Sequence, residues 1–271
     1  NKHLLHFLIK SQILTLDNNI KKLIQNKIEL NGTRYSNFFL PEIQKSDDDD
    51  ELLTYYSNNL EEYEEKRQQG ENDSYICSLI REDSIEEFVS FVNRTNISLS
   101  SRIKPSIFET NLFLIDKEPT LIEYCAFFGS IQIFQYLYLN RVEVNGSLWL
   151  YAIHSNNSDF LRNYIESKHI EPDDKTYEEV LNECIKCHHN EIARYIQDNL
   201  VIEDKTKERI FVNQSSFNER FFENVCKYSN YSFFPNEFNQ NYDFFYLCKY
   251  NYTNIVNILI KSQSNEIGKN A

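Results

Sequence analysis

Between Thr120 and Asn199 one arrangement of apolar residues occurs three times. In the first copy Ile122, Tyr124, Cys125 and Ala126 give a short helix a buried side, and Gly129 breaks it. Ile131, Ile133, Phe134 and Leu137 then carry an i, i+3, i+4 stripe on a second helix. A short tail ends at Asn145-Gly146, a turn signal. Cys125-Ala126 lines up with Ala152-Ile153 and with Cys184-Ile185. Ile133-Phe134 lines up with Phe160-Leu161 and Ile192-Ala193, and Gly129 with Asn156 and His188 at the break. So small a helix pair cannot bury its apolar faces alone. Successive pairs must pack on one another, which predicts an all-α chain built from neighbours rather than around one centre.

A helix-turn-helix-loop recurring at about 33 residues is the ankyrin period. On these residues the segment resembles a divergent ankyrin array. More narrowly, the stretches from Leu148 through Trp149 to His154, and from Ile185 to Asn190, resemble a large uncharacterised ankyrin-type family of protist proteins. The resemblance spans roughly residues 70–265 and weakens toward the N-terminus. It implies an ankyrin-like solenoid of stacked helix pairs preceded by a small helical N-terminal region. It also implies recognition of protein partners through side chains on a rigid surface. It brings no established biochemical activity.

Residues 1–32 read as a helical pair, the end of a truncated N-terminal helical region, with Asp17 as N-cap ahead of Ile20, Leu23, Ile24 and Ile28. Residues 33–73 read as an acidic linker with one helix, marked by Leu52, Leu53, Tyr56, Leu60 and Tyr63 and closed by Gly70. The acids from Asp47 to Glu51 are expected to stay in water as a surface loop. Residues 74–271 divide into degenerate repeats at about 74–99, 120–146, 147–176, 179–205, 211–240 and 242–265. The surplus from Ser100 to Pro119 reads as an insertion projecting from the hairpin side. The chain has no Met and starts at Asn1, so a fragment or processed form is expected. Ile258, Leu259 and Ile260 would face solvent unless a further repeat followed, which points to truncation at that end too.

The net charge of −13, with Lys and Arg scattered, argues against nucleic acid and against anionic membrane surfaces. No apolar run approaches the ~18–20 residues of a bilayer span, so membrane insertion is not expected. Six cysteines sit inside apolar helical patterns rather than in a loop-rich disulfide scaffold. A reduced intracellular compartment, the cytoplasm, fits that usage.

Cys184-Ile185-Lys186-Cys187-His188 matches the Cys-X-X-Cys-His spacing of haem attachment, and with His189 offers four soft ligands. The repeat alignment places Cys184 inward and His188 at the turn, so neither metal nor cofactor is expected there. His154, Ser155 and Asp159 are neighbours on one turn and do not make a converging triad. Gly is too scarce for a phosphate-cradling loop. No catalytic residue is expected and the chain reads as a non-enzyme. The protein-binding candidates are Phe127, Phe128, His154 and Lys186. The two Phe stand where ankyrin repeats carry exposed polar residues, and would form an apolar patch unless a neighbour covered them. His154 and Lys186 follow Phe127 at the same repeat position. Trp149 aligns with Ile122 and reads as core, while Arg141 replaces a usual Gly and is strained if its φ is positive. These features together predict a non-catalytic intracellular protein-interaction scaffold of undetermined partner. The alternative is an adaptor or substrate-binding array of a larger enzyme whose catalytic part lies elsewhere.

Overall fold

The computed structural model describes residues 2–27, 35–43, 59–115, 117–201, 210–235, 238 and 242–269, with the backbone alone at 210–218, 242 and 262–269. Helix is the regular structure of the described residues, and their one extended pairing is an isolated antiparallel bridge between Arg102 and Thr120. None of their helices is long and apolar enough to cross a membrane. The chain forms two compact units, 1–143 and 144–271.

The first unit holds α1 (Lys2–Lys10), α2 (Asn18–Asn26), a 3-10 turn (Tyr35–Phe39) running into α3 (Leu40–Ile43), and α4 (Leu60–Gln69). Two hairpins follow, α5 (Tyr75–Arg81) with α6 (Ile85–Thr95), and α7 (Leu121–Phe128) with α8 (Ile131–Leu139). The second unit opens with α9 (Leu148–His154) and α10 (Ser158–Phe160), the latter prolonged by a π turn (Leu161–Ile165) and a 3-10 turn (Glu166–Lys168). Then come α11 (Glu178–Cys187) with α12 (Asn190–Asn199), α13 (Ile210–Lys227) with a single 3-10 turn (Tyr231–Phe233), and α14 (Tyr242–Lys249) with α15 (Thr253–Lys269). In the α13 hairpin the second helix is cut short because Phe234, ahead of Pro235, is extended.

Every hairpin turns on one left-handed residue: Asp83 (φ 52°), Gly129 (70°), Asn156 (50°), His188 (59°), Ser229 (55°) and Asn251 (62°). Each donates its amide three residues back, to Ile80, Ala126, Ile153, Ile185, Cys226 and Cys248. In five of the six the next amide reaches five back, from Ser84 to Leu79, Ser130 to Cys125, His189 to Cys184, Asn230 to Val225 and Tyr252 to Leu247. This closure satisfies carbonyls that a helix end leaves without intrahelical partners. The alignment of Gly129 with Asn156 and His188 therefore reflects shared backbone geometry. The intervals are uneven, from 46 residues between Asp83 and Gly129 to 22 between Ser229 and Asn251.

In four of the six hairpins the residue after the turn does a second job: it catches the preceding hairpin. Ser130 Oγ donates to the Ile80 carbonyl (2.5 Å) and Asn230 Nδ2 to the Ile185 carbonyl (3.0 Å). Tyr252 OH donates to the Cys226 carbonyl (2.8 Å), and His189 Nδ1 sits 2.8 Å from the Ile153 carbonyl, which fixes the proton on Nδ1. Each acceptor lies three residues before its own turn. In the first unit Asp83 adds a cap in trans, its carboxylate accepting from the amides of Gln132 (2.9 Å) and Ile133 (3.0 Å) at the start of α8. Beneath the catches, Leu79, Cys125, Ala152, Cys184, Val225 and Leu247 are all buried, as are Ile133, Phe160 and Ile192 on the second helices.

Two expectations need correction. Part of the supposed linker 33–73 is a core, because its aromatics have partners in α1 and α2. Tyr35, Phe38 and Phe39 cluster with Ile24 and are flanked by Leu5, Ile9, Leu16, Ile20 and Ile43. Arg67 of α4 lies buried beside them, bonded to Glu42, Glu64 and the Phe38 carbonyl, with His6 Nε2 at 2.6 Å. The 100–119 insertion does not project. Ile103 and Leu121 pair their amides with Pro119 and Ser101, Thr110 bonds to Gly70, and Phe108 packs edge-on against Tyr63. Its apolar residues Ile103, Phe108, Phe113 and Leu114 are buried, which holds the segment down. The acids from Asp47 to Glu51, together with Leu52, Leu53, Tyr56 and Ile28, lie outside the described residues.

Candidate functional site

His154 ends α9 and Lys186 stands at the same place relative to the turn in α11, which packs on α9. Basic side chains there face the negative end of the helix dipole, a local reason for their recurrence. The same position in the next two hairpins is Lys227 and Lys249, both exposed, and in the first hairpin Arg81. Lys249 meets Glu223 at 2.6 Å, while Arg81 reaches Glu71 (2.7 Å) and the Tyr124 hydroxyl (3.2 Å).

His154 and Lys186 converge on Glu183. Lys186 Nζ lies 2.8 and 3.1 Å from the two carboxylate oxygens, and His154 Nε2 lies 3.1 Å from Oε1. Burial alone would raise the Glu183 pKa; hydrogen bonds from His154 and Lys186 outweigh it and hold it down at about 2. Cys187, one helical turn beyond Glu183, places Sγ 3.7 Å from His154 Nδ1 and 3.8 Å from Glu183 Oε1. Burial and the Glu183 charge push that thiol up to about 11. The side chains of His154 and Glu183 are 11% and 15% exposed, so the group is sheltered yet reachable from solvent.

The soft residues adjacent in sequence disperse. Cys184 is fully buried, and burial pushes its thiol far up. His188 Nε2 lies 2.9 Å from the Tyr228 carbonyl, and His189 is engaged with Ile153. Cys187 alone of the four meets other metal-capable side chains, and they come from the preceding hairpin and the preceding helical turn. Sequence reasoning missed this because it weighed Cys187 with Cys184. The usable signal was the i, i+4 pair Glu183/Cys187 combined with the repeat register that puts His154 beside Lys186. Ser155 donates its hydroxyl to the Ala152 carbonyl (2.7 Å), and Asp159 is exposed.

Phe127 is not an exposed contact. It is buried, stacked on Phe113 of the insertion at 5.9 Å and 20° between planes, with Lys117 Nζ 3.5 Å above the Phe113 ring. Phe128 is half-buried against Tyr124 and Phe127. The insertion thus supplies the cover that an isolated repeat would lack. Trp149 is core, and its Nε1 donates to the Ile170 carbonyl (2.5 Å). A second titratable cluster, His6, Glu42 and Glu64, is already filled at its centre by the Arg67 guanidinium.

No family model matches the chain, and no curated protein or solved structure shows significant similarity to it.

Proposed function

We propose that the chain is a non-catalytic protein-interaction scaffold that works inside the cell, holding a partner along the ends of its first helices. The observation that supports this most is the repeated closure and catch. In the 144–271 unit it sets His154, Lys186, Lys227 and Lys249 at equivalent places in successive hairpins. A rigid row of like chemistry suits a partner presenting carboxylates at matching intervals. Lys227 and Lys249 are exposed enough to change without disturbing the packing. With Phe127 buried, Phe128 is the one of the two adjacent Phe left for a contact.

The test replaces Lys227 and Lys249 with Glu in the full chain and compares affinity purifications from the native source by quantitative mass spectrometry. Circular dichroism serves as the folding control. A folded variant should lose at least one stoichiometric protein partner. An unchanged set of partners from a folded variant would sink the reading.

A further inference from the structure

We propose that His154, Glu183 and Cys187 bind one divalent transition-metal ion of the zinc class, with the fourth coordination position left to water or to a ligand from a partner. One ligand atom from each residue can be chosen so that all three lie within 4.8 Å of one another. Zinc bonds of about 2.0–2.3 Å set the edges of a tetrahedron at roughly 3.3–3.8 Å. Two edges already stand near that range, Nδ1 to Sγ at 3.7 Å and Sγ to Oε1 at 3.8 Å.

The scaffold holds the trio in place. Glu183 and Cys187 are four apart on α11 and so share a face. His154 follows Ile153, whose carbonyl is caught by His189 at 2.8 Å, so the bond that joins the two hairpins also fixes the histidine against α11. One imidazole, one carboxylate and one thiol form a mixed N, O, S set. Hard cations such as calcium and magnesium demand oxygen ligands, whereas zinc, cobalt and their neighbours accept this one. On binding, the Cys187 thiol proton leaves to solvent, and thiolate plus carboxylate balance the 2+ charge. Lys186 is the built-in competitor, because its ammonium holds the Glu183 carboxylate and must swing away. Its side chain is 37% exposed and has solvent to swing into.

The probe is cobalt(II), titrated into the reduced full chain and then displaced by zinc(II). One equivalent should bind with a sulfur-to-cobalt charge-transfer band in the near ultraviolet. Cys187→Ser should abolish the band, and Cys248→Ser, at an exposed thiol, should keep it. Loss of a ligand in His154→Gln or Glu183→Gln should weaken binding by more than the roughly 10- to 100-fold that removing an outer-shell partner costs. Lys186→Ala should tighten it, which a merely structural role for the ion pair would not produce. Melting curves check that each variant is folded. No thiolate band in the parent chain, or a band surviving in folded Cys187→Ser, overturns the proposal.

Discussion

Replacing Ser130 by Ala tests the catch between hairpins most directly. Ser130 is 2% exposed, and its hydroxyl donates to the Ile80 carbonyl at 2.5 Å. That carbonyl also accepts the Asp83 amide at 3.0 Å, so the substitution leaves it one partner rather than none. The expected cost is therefore one net hydrogen bond, about 1 kcal/mol, below the upper range for a buried carbonyl left wholly unpaired. No helix cap is lost, because the Asp83 carboxylate holds the first amides of α8. At about 3 °C per kcal/mol for a domain of this size, Tm should fall by about 3 °C. The urea midpoint should fall with an unchanged slope. Ser84 occupies the same place one hairpin earlier and caps nothing, so Ser84→Ala should stay within about 0.5 kcal/mol of the parent. Equal losses at the two serines, or no loss at Ser130, would refute the catch as a source of stability.

Other perturbations probe the remaining contacts. Asn230→Ala removes a buried donor to Ile185 and Asn190 but also an Oδ1 with no partner, so a net loss of about 1.5 kcal/mol is expected in urea unfolding. Phe113→Ala should cost about 3 kcal/mol and uncover Phe127, read as increased binding of a hydrophobic dye. Arg141→Gly, at φ 59°, should stabilise by up to about 1 kcal/mol in the same assay, and a loss there would contradict the strain argument. His6 is held below its ordinary 6.5 by burial and by the Arg67 charge, against the opposing pull of Glu42 and Glu64. Its folded state therefore takes up its proton later than the unfolded chain. The associated stability is present above pH 6.5 and is lost as the pH falls through the lower folded value. His6→Gln should flatten the fall in stability between pH 7 and 5, and an unchanged slope would rule His6 out as its source.

Helical periodicity made the hairpins from 120 to 199 legible, because burial on one side of a short helix leaves a 3.6-residue trace. It also placed Cys184 and Trp149 inside and His188 at a turn. The turns themselves were harder to read, since five of the six left-handed positions carry side chains and only Gly129 carries the usual residue. The catches were invisible for a related reason: Ser130, His189, Asn230 and Tyr252 share a donor atom in space and nothing in side-chain class. The fate of Phe127 depended on Phe113, brought over it by a segment with no periodic pattern. The His154, Glu183 and Cys187 group escaped notice because its members meet across two hairpins. Local spacing reports only one of those contacts.

That interchange of donors has a consequence for kinship. Scoring by residue identity treats serine, histidine, asparagine and tyrosine as strangers, and the uneven spacing of the turns removes the rhythm that would realign them. Torsion angles, by contrast, spell the same word at each joint, and carbonyl partners do so at five of the six. Relatives of this chain should be sought by that backbone spelling, since its letters are free to change.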